Sequence, residues 1–126
     1  MSRFDNTDKL FFKYLVKNRG HICEIHQREC PGIGTMHILP KGIYPRLRYS
    51  EEAVVLAGWF CSHYWTHHDA RNEKAIYAEK RILEIRNYPN WEELKEHLLL
   101  VERIAPKNDL KMIAMYLKKE LSTLEA

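Results

Sequence analysis

The sequence predicts an α+β fold that is mostly α, with a small, irregular centre carried on helices from both ends. Three observations lead there. Apolar residues recur at helical spacing near both termini. Pro31, Gly32, Gly34, Pro40, Gly42 and Pro45 crowd one stretch and make it rich in turns. All three cysteines and five of the seven histidines (26, 37, 63, 67 and 68) fall between residues 23 and 68. Such a concentration of soft and borderline ligands suits a metal site, and metals hold small folds together or do chemistry.

The elements follow in order. Asn6, Thr7 and Asp8 can cap a first helix, in which Leu10, Phe11, Tyr14 and Leu15 share a face and which Gly20 stops. Residues 21–48 are dominated by turns. Short strands are expected at 35–39 and 53–56, because Val54 and Val55 favour a pleated surface. Ser50, Glu51 and Glu52 could equally cap a helical turn there. A helix is expected from Cys61 or Ser62 to Asn87, since that stretch has no Gly or Pro and Pro89 follows it. Asn90 with Glu93 caps the next helix, whose apolar face is Trp91, Leu94, Leu98 and Val101. Pro106 breaks it. Asn108 or Asp109 starts the last helix, with a stripe of Leu110, Ile113, Ala114, Leu117, Leu121 and Leu124. That stripe is most simply core, although part of it could be a homodimer face.

A chain of 126 residues suits one domain with a modest core. No apolar run is long enough for a membrane span, and no apolar signal region follows Met1, so residence in the cytoplasm is expected. An odd count of three cysteines argues against a disulfide framework. The net charge of +3 permits nucleic-acid binding without demanding it.

Two constellations carry chemistry. His63 and His67 are four apart, so a helix would place both imidazoles on one face, able to share a divalent ion. The plainer reading is one surface histidine and one partly buried one. Arg71 and Lys74 continue near that face, where they could meet phosphates or simply stay solvated. Cys23, His26, Cys30 and Cys61 form a second candidate, a structural zinc site that would tie the turn-rich segment to the helix start. The plainer alternative makes Cys61 a small buried hydrophobe. His37, in Met36-His37-Ile38-Leu39-Pro40, could take a proton from water or be a core histidine. The run from Lys41 through Arg46 and Arg48 to Tyr49 alternates basic and aromatic residues on an expected loop, as phosphate contacts require.

The order Cys-x2-His, a histidine before Ile-x-Pro, a basic loop, an apolar Ala-Val-Val-Leu run and His-x3-His resembles the HNH endonucleases, most closely their short phage and prophage members. The likeness covers roughly residues 21–70, within a single domain of residues 1–126 whose helical extension occupies 90–126. It implies a ββα-metal core in which His37 is the general base, while His63 and His67 hold a catalytic Mg²⁺, Mn²⁺, Ni²⁺ or Zn²⁺. The expected function is metal-dependent hydrolysis of DNA phosphodiesters, with Lys41, Arg46, Arg48, Arg71 and Lys74 on the backbone and a phage or host protein as a further partner. The alternative is an inactive nucleic-acid-binding module on the same scaffold. Three places depart from the family pattern. Met36 stands where relatives carry a further ligand, Glu52 stands where an asparagine is usual, and Cys61 is out of register with the usual Cys-x2-Cys.

Overall fold

The computed structural model describes residues 3–66 and 72–125. Among the described residues, five helices surround a two-stranded antiparallel sheet. The order is α1 (Asp5–Arg19), β1 (Gly34–His37), β2 (Val54–Ala57), α2 (Trp59–Thr66), α3 (Glu73–Arg86), α4 (Trp91–Ile104) and α5 (Leu110–Glu125). Single 3₁₀ turns at Pro45–Leu47 and Glu51–Ala53 punctuate the loop between the strands. The fold is thus α+β and mostly α, and β1, β2 and α2 follow one another as a ββα unit. Among the described residues no helix is long and apolar enough to cross a membrane.

The sheet register explains the core. Gly34 pairs with Ala57, Thr35 with Leu56, Met36 with Val55 and His37 with Val54. Alternation then sends Met36, Val55 and Ala57 to one face, where they pack with Trp65, Ala78, Ile82, Leu94 and Leu98. Val54 and Leu56 go to the other face and meet Phe11, Tyr14, Leu15, Leu117 and Leu121. Every residue of β2 is buried because helices cover both faces, which is why the strand reads as an unbroken apolar run.

α1 and α5 pack together on the second face. Gly20 ends α1 at φ 90°, its N–H donating to Val16 O at 2.8 Å, a conformation that favours glycine. The residues expected to cap α1 lie inside it, and Asp8 is used elsewhere, as described below. Of the last apolar stripe, Ala114, Leu117 and Leu121 are buried, Leu110 and Ile113 are half-buried and Leu124 is exposed; Met112, Met115 and Tyr116, off the stripe, are exposed as well.

One expected element is corrected. Residues 61–87 do not form one helix. Asn72 is extended, and its side chain accepts from the N–H groups of Lys74 (2.9 Å) and Ala75 (3.4 Å), so α3 starts afresh there. The absence of Gly and Pro concealed a break that an asparagine cap supplies.

Two arginines fasten the strand entry. Arg19 donates to Val54 O (2.8 Å) and Glu51 O (2.7 Å), and Arg86 donates to Glu52 O (2.7 Å) and Val54 O (2.6 Å). Main-chain carbonyls that β1 does not reach are satisfied in this way.

Candidate functional site

The segment after α1 folds into a knuckle. Cys23 N–H donates to Arg28 O (2.8 Å) and Gln27 N–H to Cys23 O (2.7 Å), with Gln27 at φ 57° to close the turn. Glu24 docks the knuckle onto β2. Its N–H donates to Leu56 O (2.7 Å), and its carboxylate accepts from Leu56 N–H (2.5 Å). From α3, Arg81 holds the carbonyls of Ile25 (3.1 Å) and Glu24 (3.3 Å). The turn therefore presents Cys23, His26 and Cys30 to Cys61 in the first turns of α2.

The four ligand atoms lie within 4.8 Å of one another. His26 Nδ1 is 3.2 Å from the Cys61 sulfur and 3.8 Å from those of Cys23 and Cys30, and the Cys23 and Cys61 sulfurs are 3.7 Å apart. Ligands bound tetrahedrally to Zn²⁺ at ordinary bond lengths stand about 3.8 Å (S–S) and about 3.6 Å (S–N) apart. The donor set and its spacing therefore fit zinc. Among the described residues this is the one group of three or more such side chains that comes together.

Electrostatics agree with that fit. Burial raises the Cys23 thiol, but N–H groups of Gly58, His26 and Ile25 and the Cys61 thiol outweigh it and hold Cys23 below its ordinary value. Burial and neighbouring Cys23 push Cys61 up to about 12, the expected response of crowded thiols that a cation would relieve. Burial, with Arg28 beside it, lowers His26, keeping its ring neutral and able to ligate. The His26 ring stacks on Tyr77 at 5.4 Å and 23°.

Gly58 makes the convergence possible. A Cβ there would stand 2.6 Å from Cys30 Cβ and 3.1 Å from Pro31 O. Only a residue without a side chain lets the 30–31 segment close on the start of α2, where Trp59 N–H donates to Pro31 O at 3.0 Å.

His37 lies toward the other end of the sheet, opposite Val54. Its Nε2 is 2.9 Å from Arg48 O, and a carbonyl can only accept, so Nε2 carries the proton and Nδ1 keeps its lone pair. Burial lowers its pKa, and the Arg48 carbonyl pulls part of the way back. A neutral imidazole in a fixed tautomer results. It borders a cavity of about 570 Å³ that also takes in Lys41, Tyr44, Ser62, Trp65, Trp91 and Lys95.

The Arg48 carbonyl is itself anchored. Asp8 on α1 accepts from Arg48 Nε (3.0 Å) and Nη2 (2.6 Å) and from the Tyr49 hydroxyl (2.7 Å). Burial opposes the charge on Asp8, but these donors hold its carboxyl below the usual range. The Arg48 guanidinium also covers the Phe4 ring at 3.9 Å. Sequence reading missed Asp8, because a helix-capping position was an adequate account of it.

Several expected site residues stand elsewhere. Met36 is core, on the face of the sheet that carries Trp65. His63 is exposed, its ring stacked on Trp59 at 5.3 Å and 10°, and it does not line the His37 cavity. The α2 side chains that do are Ser62 and Trp65. His67, the expected second ligand, and Arg71 lie outside the described residues. Glu52 pairs with His97 at 2.8 Å. Of the expected backbone cations, Arg48 is committed to Asp8, and Arg46 donates to Ala105 O at 3.0 Å. Lys74 sits on α3 and donates to the Tyr64 hydroxyl at 3.0 Å. Lys41 borders the cavity beside His37.

Comparison with known proteins gives no assignment: no family model, no curated protein and no solved structure matches this chain.

Proposed function

We propose that this chain is a zinc-stabilised ββα module of the HNH endonuclease type that hydrolyses DNA phosphodiesters with His37 as general base. The observation that carries the reading is the His37 imidazole. Its Nε2–H is fixed on the Arg48 carbonyl and its Nδ1 is left as an acceptor. It is neutral through burial, on the wall of a cavity that Lys41 also lines. A base must be oriented, unprotonated and next to open space, and the fixed tautomer, the burial and the cavity at His37 support that role. Lys41 would hold a phosphate oxygen nearby.

Cys23, His26, Cys30 and Cys61 would hold the zinc, which supplies folding energy and not chemistry. A divalent cation such as Mg²⁺ or Mn²⁺ would polarise the scissile phosphate when bound. Of its expected ligands, His67 remains the candidate, since His63 stacks on Trp59 away from the cavity.

One observation favours a second reading, a nucleic-acid-binding module that does not cut. Among the described residues no second histidine, cysteine or carboxylate joins His37 at its cavity. The test is nicking of supercoiled plasmid by the zinc-loaded protein with Mg²⁺, Mn²⁺ or Ni²⁺, beside His37→Ala. Nicking that disappears in the variant while DNA binding persists is the expected result. An uncut plasmid under every ion, with binding retained, supports the second reading. Equal loss of binding and cutting in a folded variant removes His37 from the role of base.

A further inference from the structure

A second cleft, of about 840 Å³, opens beside the His37 cavity. Arg3, Phe4, Lys41, Arg46, Lys107 and Asp109 are among the residues that line it. Lys41 and Gly42 border both spaces, so the two adjoin. The walls are built and not merely adjacent. Arg46 Nη1 donates to Ala105 O (3.0 Å) and Asn108 Nδ2 donates to Pro45 O (2.8 Å), fastening the α4–α5 connection to the loop that follows His37.

The charge balance is one-sided. Arg48 also lines the cleft but is neutralised by Asp8. The hydrogen-bond partner of Arg46 is a carbonyl, which does not offset its charge. Arg3, Lys41, Arg46 and Lys107 therefore face a single carboxylate, Asp109, one oxygen of which accepts from Met112 N–H at 3.2 Å. Four cations in a groove with low-dielectric walls focus a positive potential along it.

We infer that this cleft is a phosphodiester track, along which Arg3 from the N-terminus and Lys107 from the α4–α5 connection hold the DNA backbone leading into the His37 cavity. The inference rests on the proposed DNA-directed function and extends it to two residues outside the ββα unit. Adjacency to the His37 cavity at Lys41 and Gly42, with the one-sided charge, favours a nucleic-acid strand over an acidic protein, because a strand that is cut must run past the base on one side or the other. The contacts are to phosphates, so they add affinity and register without reading sequence.

The test is fluorescence anisotropy of a labelled DNA duplex, titrated with the zinc-loaded protein over a range of salt. The proteins are wild type, the double variant Arg3→Glu/Lys107→Glu, and Lys118→Glu as a control on the exposed surface of α5. Both sites are exposed, and circular dichroism melts check that each variant folds. The double variant should bind at least about tenfold more weakly and lower the salt slope by about two, roughly one for each lost phosphate contact. Lys118→Glu should stay within about twofold of wild type if the effect is local and not one of net charge. A double variant that binds like wild type, or a control that weakens binding as much, overturns the track while leaving DNA binding in place. A wild-type protein that binds no duplex overturns the track and the proposed function together.

Discussion

The cysteine knuckle and the His37 cavity lie toward opposite ends of one two-stranded sheet, and they are assembled in different ways. At the knuckle, three ligands come from eight consecutive residues and the fourth from the first turns of α2, and all four atoms converge. At the cavity a single histidine is oriented by a backbone carbonyl that an ion pair on α1 holds in place. No other side chain of metal-ligating type joins it among the described residues. On the proposed reading the knuckle would supply stability and the cavity a reactive group. A site built from local spacing is complete on its own, whereas a site built across elements depends on which residue of each turn faces inward.

The comparison breaks most sharply if the knuckle is emptied. Structural zinc contributes on the order of 10 kcal/mol or more in small zinc-dependent folds. Cys23→Ser, or stripping the metal with a chelator, should abolish cooperative unfolding by circular dichroism and drop the zinc content measured by mass spectrometry from one ion per chain. Unchanged melting after complete metal removal would show that the two apolar cores hold the fold without it.

Gly58→Ala probes the same site through packing. The added Cβ meets Cys30 Cβ and Pro31 O, and both belong to the segment that must close on α2. Overpacking of this kind costs about 1–3 kcal/mol. Zinc affinity, measured by competition with a chromophoric chelator, should fall with stability. A variant with wild-type zinc affinity would mean that the knuckle is more yielding than its contacts suggest.

Acid acts on both regions, releasing metal from the knuckle by protonating its ligands and weakening the Asp8 network beside the cavity, and the difference between wild type and an Asp8 variant isolates the second. The folded protein holds the Asp8 carboxyl below its ordinary value, so the unfolded chain binds more protons there as pH falls. The stability Asp8 provides is full above the ordinary carboxylate pKa, about 4, and is lost as pH drops through its lower folded value. His37 is also depressed, so its part is full above about pH 6.5 and erodes below that. Urea unfolding of Asp8→Asn should show a loss of about 1–2 kcal/mol near neutral pH, allowing for partial exposure, and that difference should shrink toward pH 3. The loosened Arg48 carbonyl should also slow any His37-dependent nicking. An Asp8→Asn variant with an unaltered acid limb would detach Asp8 from this network.

Sequence legibility follows the same division. The spacing of Cys23, His26 and Cys30 is readable because one turn can bring them together, and the stripes of α1, α4 and α5 are readable because helical period is a local property. Both short strands are legible from Val54 and Val55 and from the turns between. The break before α3 is not, because the signal is one ordinary asparagine whose capping role shows only once its side chain meets the Lys74 and Ala75 amides. Nor is the choice between His63 and Ser62 as the α2 residue facing His37. It depends on where Trp65 buries, 6% exposed with its Nε1 donating to Ile38 O at 3.0 Å. The Asp8–Arg48 pair spans forty positions, and nothing local marks either member as the partner of the other.

Glu52 gives the smallest expected effect and the finest discrimination. The resemblance would set it at the place where relatives carry an asparagine, and a carboxylate there could be recruited to a cation. In the structure it pairs with His97 on α4, with the two side chains 46% and 34% exposed. A pair that open to water contributes about 0.2–1 kcal/mol. Glu52→Gln keeps the shape and one acceptor oxygen, so its melting temperature should differ only slightly from wild type, and nicking should be unchanged if the carboxylate serves α4 alone. A nicking rate that falls steeply in Glu52→Gln while stability holds, and that recovers as Mn²⁺ is raised, would instead place Glu52 on the catalytic ion. The His37 cavity would then acquire, by movement of one exposed side chain, the ligand that its described lining lacks.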